Sequence, residues 1–366
     1  MRKSFVSIVI LALILMVAIS LSFTSCTGVK TAVETSEAEA TAAETTAAET
    51  TAATEKSEGY KYTFYHLLWG MTDPNVKWHI ANAEAYMKVN SQVKIETVGP
   101  ENYDPAEHAK FMDTIMAANP DGILLHISDV DTLLPSLQAA KEKGIPVMSV
   151  TSHPPSEEDN AKLKGLVLPS WVGADESLIG GVMGKRVLEE GGFVPKHVVY
   201  TIATPGHAGH EMRAQGFFDS MPEGVKTTKL ATGEEPTQFK DILRSFLVEN
   251  PDVNVIFTFL MCNKWVADVV EELDMKDKII LLTADDAPSS IEGILKGYYL
   301  ATFGQEFGIQ GQLAYHILYL YKEAGVCPIE PIITGPLVID ESNAQLVKDQ
   351  IINVLGEEYY NQESPW

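Results

Sequence analysis

Ile279-Ile280-Leu281-Leu282-Thr283-Ala284-Asp285-Asp286-Ala287-Pro288 is the stretch from which the chain is best read. A short apolar run without alternation is a strand covered on both faces, as in a parallel sheet. It ends in two carboxylates and a proline. Ser289 to Gly297 then carries helical spacing. Pro288 suits a first helical turn, and one Asp is expected to cap that helix. The second Asp is left over. In open α/β sheets ligands sit outside the carboxyl ends of the strands, so this second carboxylate is placed to accept hydrogen bonds from a ligand's hydroxyls.

The same strand–helix unit repeats in both directions from this point. YTFYHLLW (from Tyr62), VKIETVG (from Val93), GILLHIS (from Gly122) and IPVMSVT (from Ile145) read as strands, and so do HVVYTIA (from His197) and VNVIFTF (from Val253). Helical patterns lie between them. One places Phe111, Met112, Ile115 and Met116 on one face, and another places Leu133, Leu134 and Leu137 on one face with Gly144 as a stop. Alternating strands and helices mean βαβ units. There are too many for one sheet, so two Rossmann-like α/β lobes are expected, joined by a hinge of three crossings. The first lobe is predicted over residues 60–172 plus 306–330, and the second over 173–305 plus 331–366. Crossings are expected near Trp171–Ala174 and Phe303–Gln305. The long helix after the second has Ile309, Leu313, Ile317 and Leu320 on one stripe and is expected to pack back on the first lobe.

Residues 1–25 read as a secretory signal peptide, with Arg2 and Lys3 before an apolar run. The run approaches the length of a membrane anchor helix, the competing reading. Thr24-Ser25-Cys26-Thr27-Gly28 resembles a bacterial lipoprotein processing site, which implies a lipid on Cys26, although Phe23 stands where Leu is usual. Residues 26–59 are almost only Ala, Thr, Glu and Ser and bury too little apolar surface to fold, so they read as a tether. The chain is therefore expected outside the cytoplasm, lipid-anchored to the cell membrane. The net charge of −23, with no basic stripe, argues against a nucleic-acid partner. Cys262 and Cys327 remain, and either a disulfide or two separate buried thiols is open.

Several segments stand in an order that resembles the type I periplasmic binding proteins for sugars, the ribose-binding-like family of ABC importers. They are Pro120-Asp121-Gly122-Ile123, Gly144-Ile145-Pro146-Val147, Gly173-Ala174-Asp175-Glu176 with Gly180-Gly181, and Arg213-Ala214-Gln215-Gly216-Phe217. Asn250-Pro251-Asp252-Val253, Thr283-Ala284-Asp285, and Ala301-Thr302 with Gln305 follow. The resemblance runs from about Tyr60 to Asp340 and implies a sugar held by Arg213, Asp285 and Gln305. The physics suits each role. Arg offers a planar fork of donors, Asp accepts from neighbouring hydroxyls, and Gln does both. It also implies a binding protein rather than an enzyme, without cofactor or metal. The protein would act as a monomer that closes on a monosaccharide or polyol and delivers it to an ABC permease.

The first lobe departs from the family pattern. Thr151, Ser152 and His153 stand where an Asp, often followed by Arg, is usual, and His126 stands where an Asn often does. Neutral readers are therefore expected there: His126, Thr151 and Ser152, with Asp73 in the first strand-to-helix turn. Trp69 ends its strand and is the expected stacking ring for a sugar face. Asn263 is the expected polar contact after the Val253 strand. Structural alternatives stand beside these readings: an ion pair for Arg213, a helix cap for Asp285 and a hinge hydrogen bond for Gln305. A second function, binding a small furanone-like signal or a nucleoside, is compatible with the altered first lobe. An enzyme is the third. His207-Ala208-Gly209-His210-Glu211 has neither zinc-protease spacing, and Cys262 would need a neighbouring His to act as a nucleophile.

Overall fold

The computed structural model describes residues 59–127, 129–151, 156–203 and 205–366. The signal peptide, Cys26, nearly all of the tether, and Ser152 lie outside the described residues. The first lobe is built from β1 (Tyr62–Leu67), α1 (Val76–Val89), β2 (Val93–Val98), α2 (Pro105–Ala117), β3 (Gly122–Leu125), α3 (Val130–Glu142), β4 (Val147–Thr151), α4 (Glu157–Leu163) and β5 (Val172–Gly173). The second continues with α5 (Glu176–Leu188), β6 (His197–Ile202), α6 (Ala208–Asp219), β7 (Lys226–Ala231), α7 (Pro236–Glu249), β8 (Val253–Phe257), α8 (Asn263–Glu272), β9 (Ile280–Leu282), α9 (Pro288–Leu295) and β10 (Ala301–Gly304). The chain then runs through α10 (Phe307–Ala324), β11 (Ile332–Ile333), β12 (Leu337–Asp340), α11 (Ala344–Leu355) and α12 (Glu357–Gln362).

The strands form two six-stranded sheets, in the orders β11-β5-β4-β3-β1-β2 and β12-β10-β9-β8-β6-β7. All pairs are parallel except β10 with β12. Parallel strands need cover on both faces, and the apolar residues divide accordingly. In the first sheet Phe64, Leu124 and Met148 meet Tyr86, Tyr315 and Leu318 of α1 and α10, while Leu67, Ile123 and Val147 meet Met112 and Leu137 of α2 and α3. In the second, Tyr200, Phe257 and Phe303 meet Ile179 and Phe217 of α5 and α6, while Val199, Ile256 and Leu281 meet Leu243, Val266, Ile291 and Ile351 of α7, α8, α9 and α11.

α10 does pack on the first lobe, against α1. Its buried face is set differently from the predicted stripe. Ile309 and Leu320 are exposed, and Gln310, Gly311, Ala314, Tyr315 and Leu318 are buried. Small residues decide this: a Cβ on Gly311 would stand 2.8 Å from Cβ of Asn82 in α1, so the close approach selects the Gly/Ala face.

Three segments pass between the lobes: β5 to α5, β10 to α10, and β11 to β12. They are tied together at one place. The Thr334 N–H donates to the Gly173 carbonyl at 2.8 Å. The Thr334 hydroxyl and the Gln310 amide both donate to the Gln305 carbonyl, at 2.9 and 2.8 Å. The last crossing lies at residues 334–336, because β11 pairs with β5 of the first sheet, a few residues beyond the predicted boundary at 330. Two residues cannot announce a strand by their own periodicity.

Candidate ligand-binding site between the lobes

The carboxyl ends of β1, β3 and β4 bring together Trp69, Asp73, His126 and Thr151. Those of β6, β9 and β10 bring together Arg213, Asp285 and Gln305. Backbone strain marks both walls. Thr151 (φ +70°), Asp285 (φ +62°) and Glu306 (φ +63°) are left-handed without being glycine, and for β-branched Thr151 this is a rare conformation. At Asp285 the turn is fixed by the Thr302 hydroxyl, which donates to the Asp285 carbonyl at 2.8 Å, and by Ser290, which donates to Ala284 at 2.7 Å.

The expected helix cap is absent. The residue before α9 is Ala287, with no side-chain cap bond, so neither Asp285 nor Asp286 caps it. Asp285 is freed for the interlobe face. Its Oδ1 accepts from the Gln305 amide at 2.8 Å, and its Oδ2 accepts from the Asn75 amide of the first lobe at 3.3 Å. Burial pushes its carboxyl up, while Arg213, Gln305 and Asn75 oppose that. Asp286 has only a bond from its own backbone N–H to oppose burial. Its Oδ1 is buried without a hydrogen-bond partner among the described residues. Burial, and then the charge of Asp285, push its carboxyl to about 7.

Arg213 is 4% exposed in α6 and reaches Glu176 of α5 with two nitrogens, Nε at 2.8 Å and Nη2 at 2.7 Å. Its guanidinium also lies 4.6 Å from the Phe303 ring centroid. Burial opposes its charge, and Glu176, Tyr200 and Asp285 outweigh that and keep it charged. Glycine sets this geometry. A Cβ on Gly180 would stand 2.1 Å from the Arg213 carbonyl oxygen, and one on Gly216 2.2 Å from that of Ser177, so only glycines let α5 and α6 approach this closely.

On the first wall the Trp69 indole donates to Asp73 Oδ2 at 2.9 Å, and Asp73 Oδ1 accepts from the Asn75 N–H at 2.8 Å. Both oxygens of Asp73 are thus engaged locally. It positions Trp69 and the start of α1. The Trp69 ring lies 5.1 Å from His126, 5.4 Å from His79 and 6.2 Å from Phe307. Thr151 shares a 3.1 Å hydrogen bond with His79 Nε2. Burial lowers His79 to about 3, and it lowers His126 well below the usual imidazole range, so both rings are neutral. His126 Nδ1 is buried without a partner among the described residues.

Asn263 is the clearest correction. It is 1% exposed, its amide donates to Ser289 and Ser290 at 3.2 and 3.0 Å, and its carbonyl Oδ1 accepts from Thr283. With all these groups satisfied inside the second lobe, it is a structural residue. The residue that sequence reasoning passed over is Asn75, since an Asn in a turn has too many ordinary uses to stand out. The His207–Glu211 motif is a helix start. His207 Nδ1 accepts from the His210 N–H at 3.4 Å, and Glu211 accepts from Gly206 at 3.0 Å and pairs with Lys229. No group of three or more metal-binding side chains occurs among the described residues. Cys262 and Cys327 are both free thiols, and burial raises Cys262 above the reactive range.

The family model for the periplasmic binding protein domain matches residues 73–325. The chain belongs to the periplasmic binding protein family. Among relatives of this periplasmic binding protein is the xylose/arabinose-binding protein XylF of Sulfolobus acidocaldarius, 27% identical over 259 residues, or 68% of this chain. That match spans 63% of the relative's length. Solved structures share the fold. A carbohydrate transporter from Acidothermus cellulolyticus 11B, in complex with myo-inositol, has a TM-score of 0.68 at 21% identity, covering 82% of this chain and 99% of that one. An ABC transporter periplasmic solute-binding protein from Actinobacillus succinogenes 130z, with bound D-allose, has a TM-score of 0.69 at 19% identity, covering 78% and 100%.

Proposed function

We propose that this periplasmic binding protein is the extracytoplasmic, lipid-anchored substrate-binding component of an ABC importer. It would bind a monosaccharide or polyol between its lobes and deliver it to a membrane permease. It acts as a monomer and a binder, not a catalyst. The observation that supports this most is the setting of Asp285. One buried carboxylate at a carboxyl strand end is reached by amide donors from the crossing and from the opposite lobe, with a charged Arg213 beside it. That arrangement offers paired acceptors and a fork of donors to a neutral polyhydroxylated ligand. Trp69, held by Asp73, supplies an apolar face, and neutral His126 supplies a further polar atom. The names of the relatives point to the same chemistry: pentose, hexose and cyclitol ligands.

In this reading ligand contacts to both lobes stabilise the closed form, and the permease recognises it. Micromolar affinity corresponds to about −8 kcal/mol, which roughly eight to ten hydrogen bonds and one stacked ring supply after the cost of immobilising the ligand. The test is a thermal-shift screen of ligand-free protein against pentoses, hexoses, deoxysugars and polyols, with a furanone and a nucleoside as the alternatives. A ligand at about 100 times its Kd adds ~2.7 kcal/mol of stability. A shift with a sugar or polyol is expected. A shift with the furanone or nucleoside alone rejects the sugar reading.

A further inference from the structure

Residues 326–366 lie beyond the matched domain and include α11 and α12. Gly356, with φ +96°, ends α11 and turns the chain into α12. Two aromatic residues hold this segment to that lobe. Tyr360 is 1% exposed, and its hydroxyl donates to Glu292 of α9 at 3.1 Å. Trp366 donates to the Ser289 carbonyl at 2.7 Å and stacks on Tyr298 at 4.8 Å. The adjacent residue, Tyr359, reaches the other way. Its hydroxyl donates to the carbonyl of Pro74 at 3.0 Å, in the first-lobe turn that carries Trp69, Asp73 and Asn75. Burial, and then Glu363, Asp73 and Asp286, hold that hydroxyl protonated and able to donate. α11 also touches α1 of the first lobe.

We propose that Tyr359 is a latch across the cleft: anchored to the second lobe through Tyr360 and Trp366, it binds Pro74 of the first lobe only when the lobes are closed. It therefore lowers the open fraction of the empty protein and slows ligand release, without touching the ligand. Pro74 lies five residues after Trp69 and directly before Asn75, so the latch also sets the turn that presents both to the cleft. The effect on release rests on the sugar-binding reading, whereas the effect on lobe closure does not.

The test is interlobe energy transfer in the full chain, with Cys26 and Cys327 replaced by Ser and dyes on cysteines at Val89 and Val248. These positions are 81% and 66% exposed and lie in the last turns of α1 and α7, while Cys262 is buried. Wild type and Tyr359→Phe are compared empty, then titrated with D-xylose, L-arabinose, D-allose and myo-inositol. Loss of one neutral hydrogen bond predicts an open-to-closed ratio raised about fivefold in the empty protein, ~1 kcal/mol, and a release rate raised by about the same factor. Identical distance distributions in the two empty proteins overturn the latch, whether or not a sugar binds. A shifted distribution with none of the four sugars bound upholds the latch and counts against the sugar reading alone.

Discussion

Asp286→Asn removes the carboxylate at the strand tip whose Oδ1 is buried without a partner among the described residues. In the folded protein this carboxyl is raised from 3.8 to about 7, chiefly by burial and by Asp285. Unfolded, it loses its proton near pH 4. Between about pH 4 and 7 the native state therefore binds more protons than the unfolded chain, and stability falls as pH rises through that window. Below the window the penalty is absent, and above it the penalty is complete and constant. A rise of that size corresponds to about 4 kcal/mol, and partial exposure of the side chain cuts this to roughly 2–4 kcal/mol. Asn keeps the shape of the protonated acid and carries no charge. Urea unfolding at pH 5 and pH 8 should show wild type losing stability at the higher pH. The variant should lose about 2 kcal/mol less, and be the more stable protein at pH 8. An unchanged pH slope in Asp286→Asn would refute the reasoning and mean that Asp286 is ionised at little cost.

Asn263→Ala strands Ser289, Ser290 and Thr283 in a buried network and should cost about 3 kcal/mol in urea unfolding. Affinity per folded molecule should stay within about twofold of wild type. A tenfold loss of affinity in a fully stable variant would restore Asn263 to the ligand site. Gly180→Ala forces a Cβ against the Arg213 carbonyl and should cost about 2 kcal/mol or more and weaken ligand binding, because Arg213 must move with its backbone. Gly181→Ala is the control: its nearest new contact is at 3.9 Å, so stability should be unchanged or slightly higher.

The central strands were legible because each is apolar on both faces and each is followed by helical spacing. Of the edge strands only β2 was. β7 (Lys226–Ala231) is largely exposed and carries no apolar pattern, and β11 has two residues. On the site, Arg213, Asp285 and Gln305 do converge, at positions a family pattern pointed to. What the pattern could not convey is how they are already spent on one another: Arg213 on Glu176, Gln305 on Asp285. Asn75 was missed because its partner is 210 residues away. Asn263 was misread for the converse reason. A polar side chain near a strand end looks the same in sequence whether its hydrogen bonds are free or taken.

The doubled carboxylate of Ile279–Pro288 also has its answer. Asp285 faces the other lobe, Asp286 is held near neutrality behind it, and neither caps the helix. The decisive measurement is calorimetric titration of Asp285→Ala with whichever sugar or polyol binds the wild type. If Asp285 holds ligand hydroxyls through two charge-assisted bonds, affinity should fall about a hundredfold or more, with the protein still folded. An affinity within about threefold of wild type would contradict the site and place the ligand away from this strand end.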